Sequence, residues 1–66
     1  MLITVNDKER EVAERITIAE LLKQLQLRSP QVAVEVNRSV VPRNRHDSHV
    51  LGAGDVVEIV TLVGGG

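Results

Sequence analysis

The stretch ITIAELLKQL, residues 16–25, decides the fold. Thr17 is suited to cap a helix, and Glu20 three positions later completes a capping box, in which each side chain serves the other residue's backbone N–H. Ile16 before the cap and Leu21 beyond it can close over the helix start as a hydrophobic staple. Ile18, Leu21, Leu22 and Leu25 then recur at helical spacing and form one apolar stripe. This spacing predicts a helix over 18–26 that stops ahead of Ser29-Pro30, because proline disfavours helical geometry in the residue before it. With one helix in the chain, such a stripe belongs to the core rather than to a partner's groove.

Strand signals lie on both sides of this helix. Leu2 to Val5 is apolar and β-branched, Asn6-Asp7-Lys8 reads as a turn, and Glu9 to Glu14 reads as a weak second strand, which together make a hairpin. Asn-Asp is a poorer tight-turn pair than Asn-Gly. After the helix, Gln31 to Val36 alternates Val32, Val34 and Val36 with Ala33 and Glu35, as a strand does. Asn37-Arg38-Ser39 turns the chain. Val40-Val41 is a short strand that Pro42 confines to an edge or an end. Arg43 to Ser48 is polar and irregular, Gly52-Ala53-Gly54-Asp55 is a turn, and Val56 to Leu62 is the longest strand candidate. A hairpin, a helix and further strands in so short a chain specify an α+β roll, a mixed four- to five-stranded sheet wrapped over one helix. Apolar residues at both parities mark the last strand as central. Val57 and Ile59 are expected to face the helix, and Glu58, Val60 and Leu62 the opposite side, where Val60 and Leu62 form a candidate docking patch.

Composition narrows the function. The chain has 66 residues, no Cys and no aromatic residue, so its core is aliphatic and it has neither disulfide nor thiolate chemistry. Eight Lys plus Arg against nine Asp plus Glu leave a net charge of −1, which argues against nucleic acid as a partner. Arg38, Arg43 and Arg45 read as a solvated positive patch. No apolar run is long enough to span a bilayer and the first residues do not read as a signal peptide, so no membrane association and a cytoplasmic location are expected.

No catalytic constellation emerges. His46 and His49 in HDSH lack a third strong metal ligand and a rigid support, and read as two solvated loop histidines rather than a metal site. Ser39, Ser48 and Thr61 have no neighbouring base. The GAGD of residues 52–55 lacks the further Gly, the Lys and the strand-to-helix setting of a phosphate loop. What remains is the end of the chain, Gly64-Gly65-Gly66. Read as a tail beyond a domain of residues 1–63, these glycines would reach about 10 Å when extended. An arm without Cβ atoms can enter a narrow enzyme cleft and present its terminal carboxylate. That carboxylate is a poor electrophile and requires activation, for which ATP-driven formation of an acyl-adenylate is the general solution.

The residues VNRSVVPR (36–43) and LGAGDVVEIVTLVGGG (51–66) resemble the ThiS family, the ubiquitin-like sulfur carriers of thiamine biosynthesis. The first half agrees in element order and length. Two positions depart from the family pattern: Asn6-Asp7 stands where Asn-Gly is frequent, and His46 where a bulky aromatic is frequent. The resemblance implies a β-grasp fold and a carrier that is not itself an enzyme. It implies that a ThiF-type E1-like enzyme, using ATP and Mg, adenylates Gly66. Sulfur mobilised by a cysteine desulfurase then makes a thiocarboxylate, which thiazole synthase (ThiG) consumes. Gly64 and Gly65 would thread the partners' active sites, and Glu58, Val60 and Leu62 would contribute to docking. No cofactor of its own is implied. A carrier for another pathway, of the molybdopterin type, a ubiquitin-like protein modifier and a plain β-grasp interaction domain are the rival readings.

Overall fold

The computed structural model describes residues 1–62; Val63 and the glycines Gly64 to Gly66 lie outside the described residues. The elements are β1 (Leu2–Val5), β2 (Lys8–Glu11), α1 (Ile18–Gln24), β3 (Val32–Val36), β4 (Ser39–Val41) and β5 (Val56–Thr61), with short 3-10 turns at Ser29–Gln31 and Arg43–Arg45. The five strands form one mixed sheet in the order β2-β1-β5-β3-β4. Strand β5 is central: it runs parallel to β1, with Thr4 opposite Val56 and Val5 opposite Val57, and antiparallel to β3 from Val32↔Thr61 to Val36↔Val57. β2 and β4 are the two edges, and Pro42 directly follows β4, in keeping with an edge position.

Helix α1 starts as its sequence dictates. Thr17 Oγ1 accepts the Glu20 N–H at 3.2 Å, and Glu20 Oε1 accepts the Thr17 N–H at 2.9 Å. The two remaining first-turn donors are met from the loop before β5: Ile18 N–H donates to His49 O at 3.1 Å and Ala19 N–H to His46 O at 2.9 Å. No first-turn amide is left to water, which matters for a helix of seven residues.

The helix ends earlier than expected, at Gln24 with Leu25 as its C-cap. Gln26 adopts a left-handed φ of +61°. Its N–H donates to Lys23 O at 3.0 Å and the Leu27 N–H to Leu22 O at 2.8 Å, which is a Schellman closure. The terminator is thus a backbone conformation two residues before Arg28, not the proline at position 30.

The second strand also stops short of the expected Glu14, at Glu11. Val12 still donates to Met1 O at 2.8 Å, but Arg15 has a φ of +65° and swings the chain off the sheet toward Ile16. β3 begins at Val32 rather than Gln31, and β4 takes in Ser39. Both hairpins close on two residues with positive φ, Asn6-Asp7 (49° and 69°) and Asn37-Arg38 (52° and 71°), the turn whose twist matches that of the strands.

The core lies between the sheet and α1. Ile3, Val34, Val57 and Ile59 meet Ile18, Leu21 and Leu22, with Ile16, Val41 and Leu51 closing the rim. Val57 and Ile59 face the helix as expected, at 0% and 8% exposure. Among the described residues no helix is long and apolar enough to cross a membrane.

Candidate functional site

Two asparagines fix the strand that leads into the glycine tail. Asn6, in the first hairpin turn, donates its N–H to Val57 O at 2.9 Å. Its side chain then acts as one more residue of β1: Oδ1 accepts the Ile59 N–H at 2.8 Å, and Nδ2 donates to Ile59 O at 3.2 Å. Asn37, in the second turn, holds the start of β5 from the other side. Its N–H donates to Val56 O at 2.7 Å and its Oδ1 accepts the Val56 N–H at 3.0 Å. Its Nδ2 reaches Asp55 Oδ1 at 3.1 Å, while Asp55 Oδ2 accepts the Gly52 N–H at 2.8 Å and closes the GAGD turn. The strand is held from both sides, and Leu62 N–H still bonds Gln31 O at 2.8 Å beyond it. By residue type and position both asparagines read as turn residues only. The signal that could have found them is the repeated Val-Asn at the start of each turn, Val5-Asn6 and Val36-Asn37.

The residues expected at a docking surface lie where the alternation put them. Glu58, Val60 and Leu62 are exposed, on the side of β5 away from Val57 and Ile59. Their neighbours follow from the register: Ala33 lies opposite Val60, Glu35 opposite Glu58, and Val40 opposite Glu35. Leu2 and Thr4 on β1 and Glu9 and Glu11 on β2 complete this open face, since Ile3 and its partner Arg10 point to the helix side. Gly64, Gly65 and Gly66, expected to thread the partner and to carry the modification, lie outside the described residues.

The loop histidine expected to be solvated is not. His46 is buried at 2% exposure, whereas His49 is half-buried and Asp47 exposed. After Pro42 the turn Arg43–Arg45 carries position 46 inward. There Nε2 lies 3.0 Å from Val41 O, which can only accept, so Nε2 carries a proton and donates, while Nδ1 is hydrogen-bonded to the Ser29 hydroxyl. Both ring nitrogens are engaged within the domain, which ties the loop to β4 and to the turn after α1. That geometry removes His46 as a metal ligand, and among the described residues no group of three His, Cys, Asp or Glu is placed to hold a metal.

The comparison with known proteins bears on what this clamped central strand serves. Residues 3–66 match the model of the ThiS family. The chain belongs to the ThiS family. It is 33% identical over 66 residues to the sulfur carrier protein ThiS of Escherichia coli K12, covering 100% of both chains. It is 36% identical, again over its whole length, to a thiazole synthase of Paramagnetospirillum magneticum, of which it spans only 20%. The crystal structure of the thiamine biosynthesis protein ThiS from Geobacter metallireducens superposes over 100% of both chains with a TM-score of 0.85 at 38% identity. The five-stranded mixed sheet over one helix is accordingly the β-grasp fold.

Proposed function

We propose that this ThiS-family chain carries sulfur for thiamine biosynthesis on the carboxyl group of Gly66. The observation that supports this most directly is the full-length match to the Escherichia coli sulfur carrier, which runs through the terminal glycines. The chemistry assigned to the chain is narrow. A Gly66 carboxylate oxygen attacks the α-phosphorus of ATP in a ThiF-type adenylating enzyme, with Mg as counter-ion, and pyrophosphate leaves. Sulfur mobilised by a desulfurase as a persulfide attacks the acyl carbon, AMP leaves with the oxygen it gained, and a thiol reductant cleaves the resulting acyl disulfide, ending as a disulfide itself. The product is a glycyl thiocarboxylate, whose sulfur a thiazole synthase takes up.

The chain's own part is to present and to dock. Gly64 and Gly65, which lack Cβ atoms, are assigned the threading of the partners' active sites, and the asparagine clamps fix β5 ahead of them in sequence. Glu58, Val60 and Leu62 belong to the docking face. A thiazole synthase that contains a segment alike over the whole chain favours thiazole synthase as the receiving partner.

Intact-mass measurement after incubation with the adenylating enzyme, ATP, Mg and a sulfur donor tests the reading. The expected gain is about 16 Da, the replacement of one oxygen by sulfur, localised to Gly66 by fragmentation. Protein that keeps its starting mass under conditions that convert the Escherichia coli carrier overturns it.

A further inference from the structure

We propose that the open sheet face recognises one kind of surface, a protein face that sets arginine or lysine side chains among apolar ones. The inference rests on the carrier reading, because this face is continuous with the strand that leads to the tail, and it adds the chemistry of the partner.

Three observations carry it. First, the face exposes large apolar side chains although the domain has a complete core elsewhere: Val40 is 68% exposed, Val60 59% and Val56 44%. Second, Glu35 and Glu58 stand directly opposite each other at the middle of this surface, a cross-strand pairing of like charges that destabilises a sheet. Neither has an ion pair among the described residues; the one found there joins the Met1 amino group to Glu11, at the other edge of the sheet. Third, among the described residues no strand turns a Lys or Arg to this side. Lys8 and Arg10 lie opposite Val5 and Ile3 and share their helix-facing side. Acid set in hydrocarbon, with no base of its own, is complemented by a cationic surface with apolar surroundings.

The same charges exclude other occupants. A second copy laid face to face would bring Glu35 and Glu58 against their equivalents, and a nucleic-acid backbone would meet carboxylates instead of cations. Retaining an internal repulsion where glutamine would relieve it is a cost to folding that a partner's cation offsets.

The test pairs a binding readout with a stability readout. The full chain, wild type and the double variant Glu35→Gln/Glu58→Gln, is titrated by calorimetry into the ThiF-type adenylating enzyme of the same organism, at low and at high salt. Melting temperatures are recorded alongside. The double variant is expected to melt higher than wild type yet bind at least tenfold more weakly, with a flatter salt dependence. Glu35→Lys/Glu58→Lys is expected to bind more weakly still. A double Gln variant that binds within twofold of wild type, or more tightly, overturns the proposal; so does one that melts lower. Concentration-dependent dimerisation through this face, seen by sedimentation and relieved by the Gln changes, also overturns it. If the wild-type chain gains sulfur at Gly66 while the Gln variants bind undiminished, only this inference fails. If the wild type neither binds nor gains sulfur, the carrier reading fails and takes this inference with it.

Discussion

Asn6 shows how one turn side chain can settle the geometry of a strand distant in sequence. Its amide replaces a missing strand residue against Ile59, 53 positions away in sequence, with bonds of 2.8 and 3.2 Å. Asn6→Ala removes both and leaves the Ile59 N–H and C=O to find water, so it is expected to cost about 1–2 kcal/mol by urea denaturation. Hydrogen exchange at the Ile59 amide should accelerate more than at Val34, which β4 and β5 hold from both sides; equal protection in the variant would refute the clamp. His46 supplies the complementary lesson. Truncation to Ala opens a cavity and strands the Ser29 hydroxyl and the Val41 carbonyl, and is expected to cost roughly 3 kcal/mol, read as a lowered urea midpoint. Neither role was legible from residue type. A histidine between Arg45 and Asp47 reads as loop, and only the fold brings Ser29 and Val41 within reach of both its nitrogens. The turns were legible because Asn tolerates positive φ; what the Asn side chains then bond was not, since those partners lie in another element.

At the scale of elements, the two ends of α1 differ in how openly they are written. Its start is spelled in side chains, Thr17 and Glu20, and was readable. Its end is spelled in a backbone dihedral at Gln26, a residue type that gives no sign of left-handed geometry, so the sequence suggested a longer helix bounded by Pro30. Two substitutions separate these devices. Thr17→Ala is expected to lower stability by about 1 kcal/mol through loss of the capping bond. Gln26→Gly, a change that ordinarily weakens a chain, is expected to raise stability by about 0.5–1 kcal/mol, because glycine adopts a φ of +61° without strain. Thermal melts of the two variants should shift in opposite directions, and a destabilised Gln26→Gly would show that the Gln26 side chain outweighs the relief of backbone strain. The strands follow the same rule. The alternation of β3 and β5 gave their inner and outer faces, whereas the end of β2 was misplaced because Arg15, like Gln26, adopts positive φ without being glycine.

For the whole molecule, folding and the proposed chemistry are drawn from different parts of the chain. The hydrophobic cluster of the core runs from Ile3 to Ile59 and is aliphatic, with His46 buried as well. The reacting carboxyl is assigned to Gly66, beyond the last strand. This division predicts that a change at the terminus leaves stability alone and acts on partner turnover. Gly66→Ala adds one methyl beside the acyl carbon. In the narrow cleft of an adenylating enzyme that methyl is expected to overpack the site by about 1–3 kcal/mol, which corresponds to a loss in adenylation rate of roughly fivefold to 150-fold. Pyrophosphate release at saturating ATP measures it, with urea midpoints as the control. The docking proposed for the sheet face would be untouched, so the affinity of the variant for the enzyme should stay within a few-fold of wild type while the rate falls. A variant that is adenylated at the wild-type rate would mean that the cleft has room at the acyl carbon, and the bare terminus would then need another reason. A variant that loses affinity as steeply as rate would mean that the tail itself supplies most of the binding, and the sheet face little.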